Sequence, residues 1–295
     1  MTNFRSLYER LQPYYGADEA RAIVRWVLEE RFSLSLTDVL CGKVNELSAD
    51  DAAELEKIMQ RLERMEPVQY VLGTSDFCGR RFRVAPGALI PRPETQELCA
   101  WVKDVAAAQK DIPRRLLDVG TGSGCIAITL ALDLSDAQVS ACDISEKALS
   151  IARDNATRLQ AQVDFFQTDI LRAAENPDEI DQNYGFIVSN PPYICEKERE
   201  SMARNVFDYE PSEALFVPDN DPLRFYRAIA QVAEQALVEG GYLFFEINPN
   251  YVEEMKIMLK NAHFIDILVR NDCFGKQRMM CARRRKNGVG QTIIK

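Results

Sequence analysis

Two hydrophobic periodicities divide the chain. Up to about residue 66 the apolar positions follow helical spacing. They are Ala20, Ile23, Val24, Val27 and Leu28 within 18–31, then Leu55, Ile58, Met59, Leu62 and Met65 within 50–65. Ser48 with Asp51 resembles a capping box, and a shorter helix is expected within 33–47. No glycine-rich loop or ligand cluster interrupts this stretch. The expectation for 1–74 is a small helical bundle that holds a partner. Residues 75–94 read differently. Alternation sets in over the second half of 77–84, Pro86-Gly87 signals a turn, and 88–90 read as extended. That predicts a β-hairpin linking two domains, with a helix beginning near Thr95.

From about residue 113 the pattern alternates strand and helix. Strands are expected at 115–119, 137–142, 163–167, 184–189 and 242–247, and helices at 125–132, 145–159 and 223–237. Ser145 is the expected N-cap of its helix, and Gly240-Gly241 is read as a stop. Segments 264–269 and 278–282 are expected to close the sheet as an antiparallel pair. Alternating βα units predict an α/β fold with a doubly wound, mostly parallel sheet. The domain expected is 95–286, with 287–295 as a tail and 283–286 a solvated charge run.

Composition narrows the function. The 295 residues are 46% hydrophobic and 27% charged, with a net charge of −9 and a pI near 5.0. Broad binding to nucleic acid needs many cations on phosphates and is not expected. Eight scattered cysteines form no C-x-x-C pair and are read as buried free thiols of a reducing cytosol. The single histidine, His263, falls in a helix–strand turn and is expected to be structural. His-based metal sites and Ser-His triads are thereby nearly excluded, and no metal is expected. With no apolar signal core and no long apolar run, the expected location is cytoplasmic, with no membrane partner.

The candidate chemistry lies at the carboxyl ends of the strands. Gly120-Thr121-Gly122-Ser123-Gly124 follows the first strand; its glycines allow a tight turn and close backbone approach to a ligand. Asp118 could hold a ligand amino group or brace this loop. Asp143 ends the second strand, nineteen residues past Gly124. Its carboxylate can accept two ribose hydroxyls, with helix capping as the competing role. Asp169 ends the third strand, where adenine would lie. Asn190-Pro191-Pro192-Tyr193 ends the fourth. Two prolines cannot donate to a ladder, so the strand stops there. A carboxamide both accepts and donates, and complements an amide or an amino-heterocycle edge. Tyr193 offers a flat apolar face. These ends converge on a nucleoside-containing cofactor beside a substrate gripped by Asn190.

The glycine loop with Asp118 and Asp143 resembles the S-adenosylmethionine site of class I methyltransferases. Asn190–Tyr193 resembles the amino-methylating signature of that superfamily. More specifically, Glu66-Pro67-Val68-Gln69-Tyr70-Val71-Leu72-Gly73, Phe77-Cys78-Gly79 and Leu89-Ile90-Pro91-Arg92-Pro93-Glu94-Thr95 resemble the HemK/PrmC family of protein-(glutamine-N5) methyltransferases. Tyr209-Glu210-Pro211 with Ala214-Leu215 is also similar, and the resemblance runs to about Arg284. It implies methyl transfer from S-adenosyl-L-methionine, yielding S-adenosyl-L-homocysteine, to the glutamine of the Gly-Gly-Gln loop of class 1 peptide chain release factors. The implied catalytic residues are Asn190, Pro191 and Tyr193, with Pro192 also on the substrate. The implied cofactor residues are Gly120, Thr121, Gly122, Ser123, Gly124, Asp143, Asp169, Ile170 and Asn190. Three positions depart from the family pattern: Ile170 replaces an aromatic, Gln96 a glutamate, and Glu246-Ile247-Asn248 a Glu-x-Gly. They are expected to touch cofactor binding and not the Asn190–Tyr193 loop.

Rival readings are a ribosomal-protein glutamine as target, an exocyclic amine of DNA or RNA, and a non-catalytic binding protein. A nicotinamide dehydrogenase is disfavoured by the glycine spacing.

Overall fold

The computed structural model describes residues 3–176 and 179–286; the 287–295 tail lies outside the described residues. The chain forms two compact units. One comprises residues 3–74 with Val84–Pro86 and Met202–Glu210. Its first five helices are α1 (Phe4–Tyr15), α2 (Ala17–Phe32), α3 (Leu36–Leu40), α4 (Ala49–Glu63) and α5 (Val68–Leu72). Asn3 and Ser6 form a reciprocal capping box at the start of α1. Ser48 caps α4 by accepting the Asp51 N–H at 3.1 Å. The apolar stripes meet in a core around Leu11, Val24, Leu28, Met59 and Leu62. Met65 lies beyond the end of α4, not on its stripe, in the left-handed region at φ 65°. Glu66 precedes Pro67, which disfavours helical backbone there.

The other unit carries the sheet. The hairpin pairs β1 (Thr74–Phe77) with β2 (Arg80–Arg83). Its turn is Cys78-Gly79, not the expected Pro86-Gly87, and residues 88–90 form no strand. Cys78 and Gly79 both have positive φ, 48° and 71°, the geometry a two-residue hairpin turn requires.

Then follow α6 (Pro93–Ala108), β3 (Arg115–Val119), α7 (Cys125–Asp133), β4 (Gln138–Asp143), α8 (Glu146–Leu159), β5 (Val163–Gln167), α9 (Ile170–Glu175) and β6 (Tyr184–Ser189). After β6 come the short strands β7 (Ile194–Cys195) and β8 (Phe216–Val217), which pair with each other. Between them in sequence lies α10 (Arg204–Tyr209). The chain closes with α11 (Arg224–Ala236), β9 (Leu237–Glu246), α12 (Val252–Asn261), β10 (Phe264–Asn271) and β11 (Gln277–Arg284).

The seven-stranded sheet has the order β10-β11-β9-β6-β3-β4-β5. Strands β9, β6, β3, β4 and β5 are parallel; β11 and β10 are antiparallel additions. β6 is buried along its whole length. Over its last three core positions successive residues serve two cores: Phe186 and Val188 face one, Ile187 the other. A strand covered on both faces reads as a continuous apolar run, which is why its bounds were legible.

Gly240-Gly241 does not stop the chain, because β9 runs through it. Gly240 sits at φ 79°, and a Cβ on Gly241 would stand 3.0 Å from the Gly185 carbonyl oxygen. The pair marks a register shift inside a strand. The cysteines also differ from expectation. All eight are free, but Cys41 and Cys273 are exposed and Cys78 is half-buried. Cys273 lies in the β10–β11 turn, which has no core to enter. His263 accepts or donates at Nδ1 to Glu234 at 2.7 Å, at φ 61° in its helix–strand turn. Among the described residues, no helix is long and apolar enough to cross a membrane.

Candidate active site

Chain order reverses between β3 and β6. The chain steps outward through β4 and β5, then returns to the far side of β3. Open α/β sheets bind ligands in the crevice at such a switch point. Here the Ser189 hydroxyl at the end of β6 donates to the Val119 carbonyl at the end of β3, at 2.6 Å. The glycine loop and the Asn190 loop therefore leave adjacent strands, and a cavity of about 230 Å³ opens between them.

The glycine loop is held by its own backbone and by two carboxylates. The Gly120 and Thr121 N–H groups both donate to the Cys142 carbonyl, at 2.9 and 3.0 Å. Asp143 accepts the Gly122 N–H on one carboxylate oxygen and the Ser145 N–H on the other, each at 2.9 Å. It thus braces the loop and caps the approach to α8 while lining the cavity. Burial raises its pKa, opposed by those N–H donors. Gly120 and Gly122 have φ of 73° and 56°, and a Cβ on either would meet nothing within 4 Å. Their bare backbone forms a cradle open to a ligand.

Asp118 takes the bracing role. It is 1% exposed and does not line the cavity. Its Oδ2 accepts from the Thr121 hydroxyl at 2.6 Å and the Ala127 N–H at 3.2 Å, whereas Oδ1 has no partner. Burial pushes its pKa up to about 7. A carboxyl whose folded pKa exceeds its unfolded value stabilises the fold below the unfolded pKa, and that stabilisation is lost as pH rises through the folded pKa. Between pH 5 and 8 the ligand-free protein should therefore lose about 2–3 kcal/mol that an Asp118→Asn variant does not lose. Denaturant titration of both proteins across that range checks this; parallel curves would contradict it.

Of the sequence-predicted residues, the structure brings Gly120, Gly122, Asp143, Asp169, Ile170, Asn190, Pro191 and Pro192 to the cavity wall. Thr121, Ser123, Gly124 and Tyr193 are not part of that wall. Thr121 holds Asp118, and the Ser123 carbonyl accepts from Asn155 at 2.9 Å. Asp169 also caps α9, accepting the Leu171 N–H at 2.9 Å. Sequence reasoning missed Gly87, Ala88, Leu89, Ile144 and Phe225, all on the wall. Ile144 directly follows Asp143 and stays 57% exposed; an apolar side chain next to an acid that closes a strand was the available signal. The described wall residues include the acids Asp143, Asp169 and Glu213, and no Lys or Arg. Such a wall disfavours a pyrophosphate and favours a cationic ligand. Among the described residues no cluster of His, Cys, Asp and Glu is placed to hold a metal ion.

The departures from the family pattern have structural places, and one of them, Asn248, bears on the Asn190–Tyr193 loop beside the retained Glu246, contrary to expectation. The Tyr193 hydroxyl donates to Glu246 Oε1 at 2.9 Å. Asn248 Nδ2 donates to the Tyr193 carbonyl at 3.1 Å and to Glu198 at 3.0 Å. A glycine at 248 would lack this strut. Gln96 is elsewhere, accepting the Cys78 N–H of the hairpin turn at 3.0 Å.

Comparison with known proteins matches this arrangement. Residues 5–73 match the PrmC N-terminal domain model and residues 105–215 the methyltransferase small domain model. A curated release factor glutamine methyltransferase of Bacteroides thetaiotaomicron is 48% identical over 277 residues, covering 94% of this chain and 97% of that protein. One of Flavobacterium psychrophilum is 36% identical over 280 residues, with the same coverage of both chains. A solved 16S rRNA N2 G1207 methyltransferase of T. thermophilus, in complex with AdoMet and guanosine, is 17% identical with a TM-score of 0.50. It covers 72% of this chain and 50% of its own, and the likeness carries the fold alone.

Proposed function

The chain belongs to the HemK/PrmC family of release factor glutamine methyltransferases, and we propose that it methylates the side-chain amide of the glutamine in the Gly-Gly-Gln loop of class 1 release factors. The methyl donor in this reading is S-adenosyl-L-methionine. The observation that carries the proposal is the meeting, at one switch point, of an acid-walled glycine cradle and the Asn190 carboxamide.

The residues present fit that donor. Gly120 and Gly122 leave room for it, Asp143 offers lone pairs for its ribose, and Asp169 on the same wall would serve its adenine. Ile144, Ile170 and Phe225 supply apolar wall. When bound, the donor supplies a methyl carbon made electrophilic by a sulfonium. The acids on the wall favour that positive charge.

The rest of the chemistry is positioning. An amide nitrogen is a weak nucleophile because its lone pair is delocalised into the carbonyl. In this reading Asn190 Oδ1 and the Pro191 carbonyl accept the two N–H bonds of the substrate amide. That aims the nitrogen and favours its pyramidal form in the transition state. The donor's methyl–sulfur bond would break as the N–C bond forms, its electron pair staying on sulfur as the thioether, and one N–H proton would pass to solvent. Pro192 walls the slot, and Tyr193 anchors the far end of the loop through Glu246.

The test is incubation with radiolabelled S-adenosyl-L-methionine and a cognate release factor, beside a Gln→Ala variant of its Gly-Gly-Gln loop. Label on the wild-type factor alone is expected. Equal label on both would overturn the assignment.

A further inference from the structure

Next to Asn190 lies a buried chain of hydrogen bonds whose other members do not line the cavity. Glu246 ends β9 and is 2% exposed; Thr95, in the first turn of α6, is also 2% exposed. The Thr95 hydroxyl donates to Glu246 Oε2 at 2.6 Å. The other carboxylate oxygen accepts from Tyr193. Asn190 Nδ2 donates to Thr95 Oγ1 at 3.3 Å. One carboxylate thus holds both ends of the Asn190–Tyr193 loop.

Counting protons gives this chain a direction. An ionised carboxylate only accepts, so Thr95 must spend its single hydroxyl proton on Glu246. Toward Asn190, Thr95 can then only accept. The atom of Asn190 that faces it must be the NH2 group, and the carboxamide oxygen must turn the other way. A flipped amide would set Oδ1 against the Thr95 lone pairs and present an NH2 to a substrate that itself brings N–H donors. Burial raises the Glu246 pKa, while the Thr95 and Tyr193 donors and the neighbouring Arg278 charge favour its ionised form.

We propose that Thr95 and Glu246 are positioning residues that fix the polarity of the Asn190 carboxamide, so that its oxygen faces the nitrogen to be methylated. The role rests on the methyl-transfer reading above; the orientation of the amide does not. Neither residue touches substrate in this scheme, and both act through Asn190.

The test compares Thr95→Val, which keeps the shape and deletes the hydroxyl, with Thr95→Ser, which keeps the hydroxyl. In the release-factor assay, Thr95→Val should lower kcat about 10- to 100-fold with KM for the protein substrate within about threefold. Affinity for S-adenosyl-L-methionine should be unchanged, and Thr95→Ser should restore most of the turnover. Equal losses in Val and Ser, or a loss confined to KM, would overturn the proposal. A second readout needs no activity. With asparagine labelled by 15N, the Asn190 side-chain amide is assigned by its disappearance in Asn190→Ala. One of its protons should exchange slowly with water in wild type and Thr95→Ser, and fast in Thr95→Val. Fast exchange in all three would contradict the hydrogen-bonded orientation. If the wild type methylates no release factor yet shows this protection, the orientation stands and the substrate reading falls.

Discussion

Asn190→Ala should lower kcat by about 100-fold or more while the Kd for S-adenosyl-L-methionine stays within about threefold. The variant removes an acceptor aimed at the reacting nitrogen, and losing one preorganised polar partner of a transition state costs about 10²–10³ in turnover. The donor's larger contacts, with the glycine cradle and Asp143, remain. Asn190 is part-buried at the cavity wall, so truncation opens space without uncovering a core. Single-turnover kinetics with isothermal titration calorimetry separate the two quantities. Full turnover in Asn190→Ala would remove Asn190 from the chemistry.

Asp143→Ala should have its large effect on affinity instead, weakening S-adenosyl-L-methionine binding by about 100-fold or more. Hydrogen bonds to a charged group contribute roughly 1.5–3 kcal/mol each, and two ribose hydroxyls are at stake. The glycine loop also loses its tie at Gly122. Asp143→Asn should not rescue it. Both carboxylate oxygens already accept backbone N–H groups, from Gly122 and Ser145, and an amide would turn its own NH2 toward one of them. Calorimetry on both variants checks this. Affinity in Asp143→Asn within threefold of wild type would contradict the account.

The parts of the fold that were legible in the sequence have local causes. Arg115–Val119, Val163–Gln167 and Tyr184–Ser189 were placed to the residue. Each is a short run bounded by residues that end a strand, Gly120, Thr168-Asp169 and the two prolines after Asn190. Ser145 was found as a cap because the helix pattern begins one residue later and its hydroxyl accepts the Ala148 N–H at 3.2 Å. The hairpin turn was misplaced because Cys78 does not advertise a positive φ, whereas Pro86-Gly87 does. Ala88 and Leu89 of the wall were read as extended for the same reason, following the turn read at Pro86-Gly87. β7 and β8 span two residues each, too short for any period.

The site was legible where one loop follows one strand. Glycine loop, Asp143, Asp169 and Asn190 each close a β-strand, so strand prediction alone brought them together. Glu246 escaped. Its bond to Thr95 joins residues 151 apart in sequence, and nothing near either residue signals the other. The Tyr193 ring, expected on the ligand, is not part of the cavity wall, and its hydroxyl is tied to that same carboxylate.

The central claim is that a glutamine amide nitrogen receives the methyl group. Tandem mass spectrometry of a release factor, digested after reaction with this protein and S-adenosyl-L-methionine, tests it most directly. The account predicts one added methyl on the side-chain nitrogen of the Gly-Gly-Gln glutamine. An unmodified loop, with the methyl found on a ribosomal-protein glutamine or a nucleic-acid amine in parallel reactions, would contradict it.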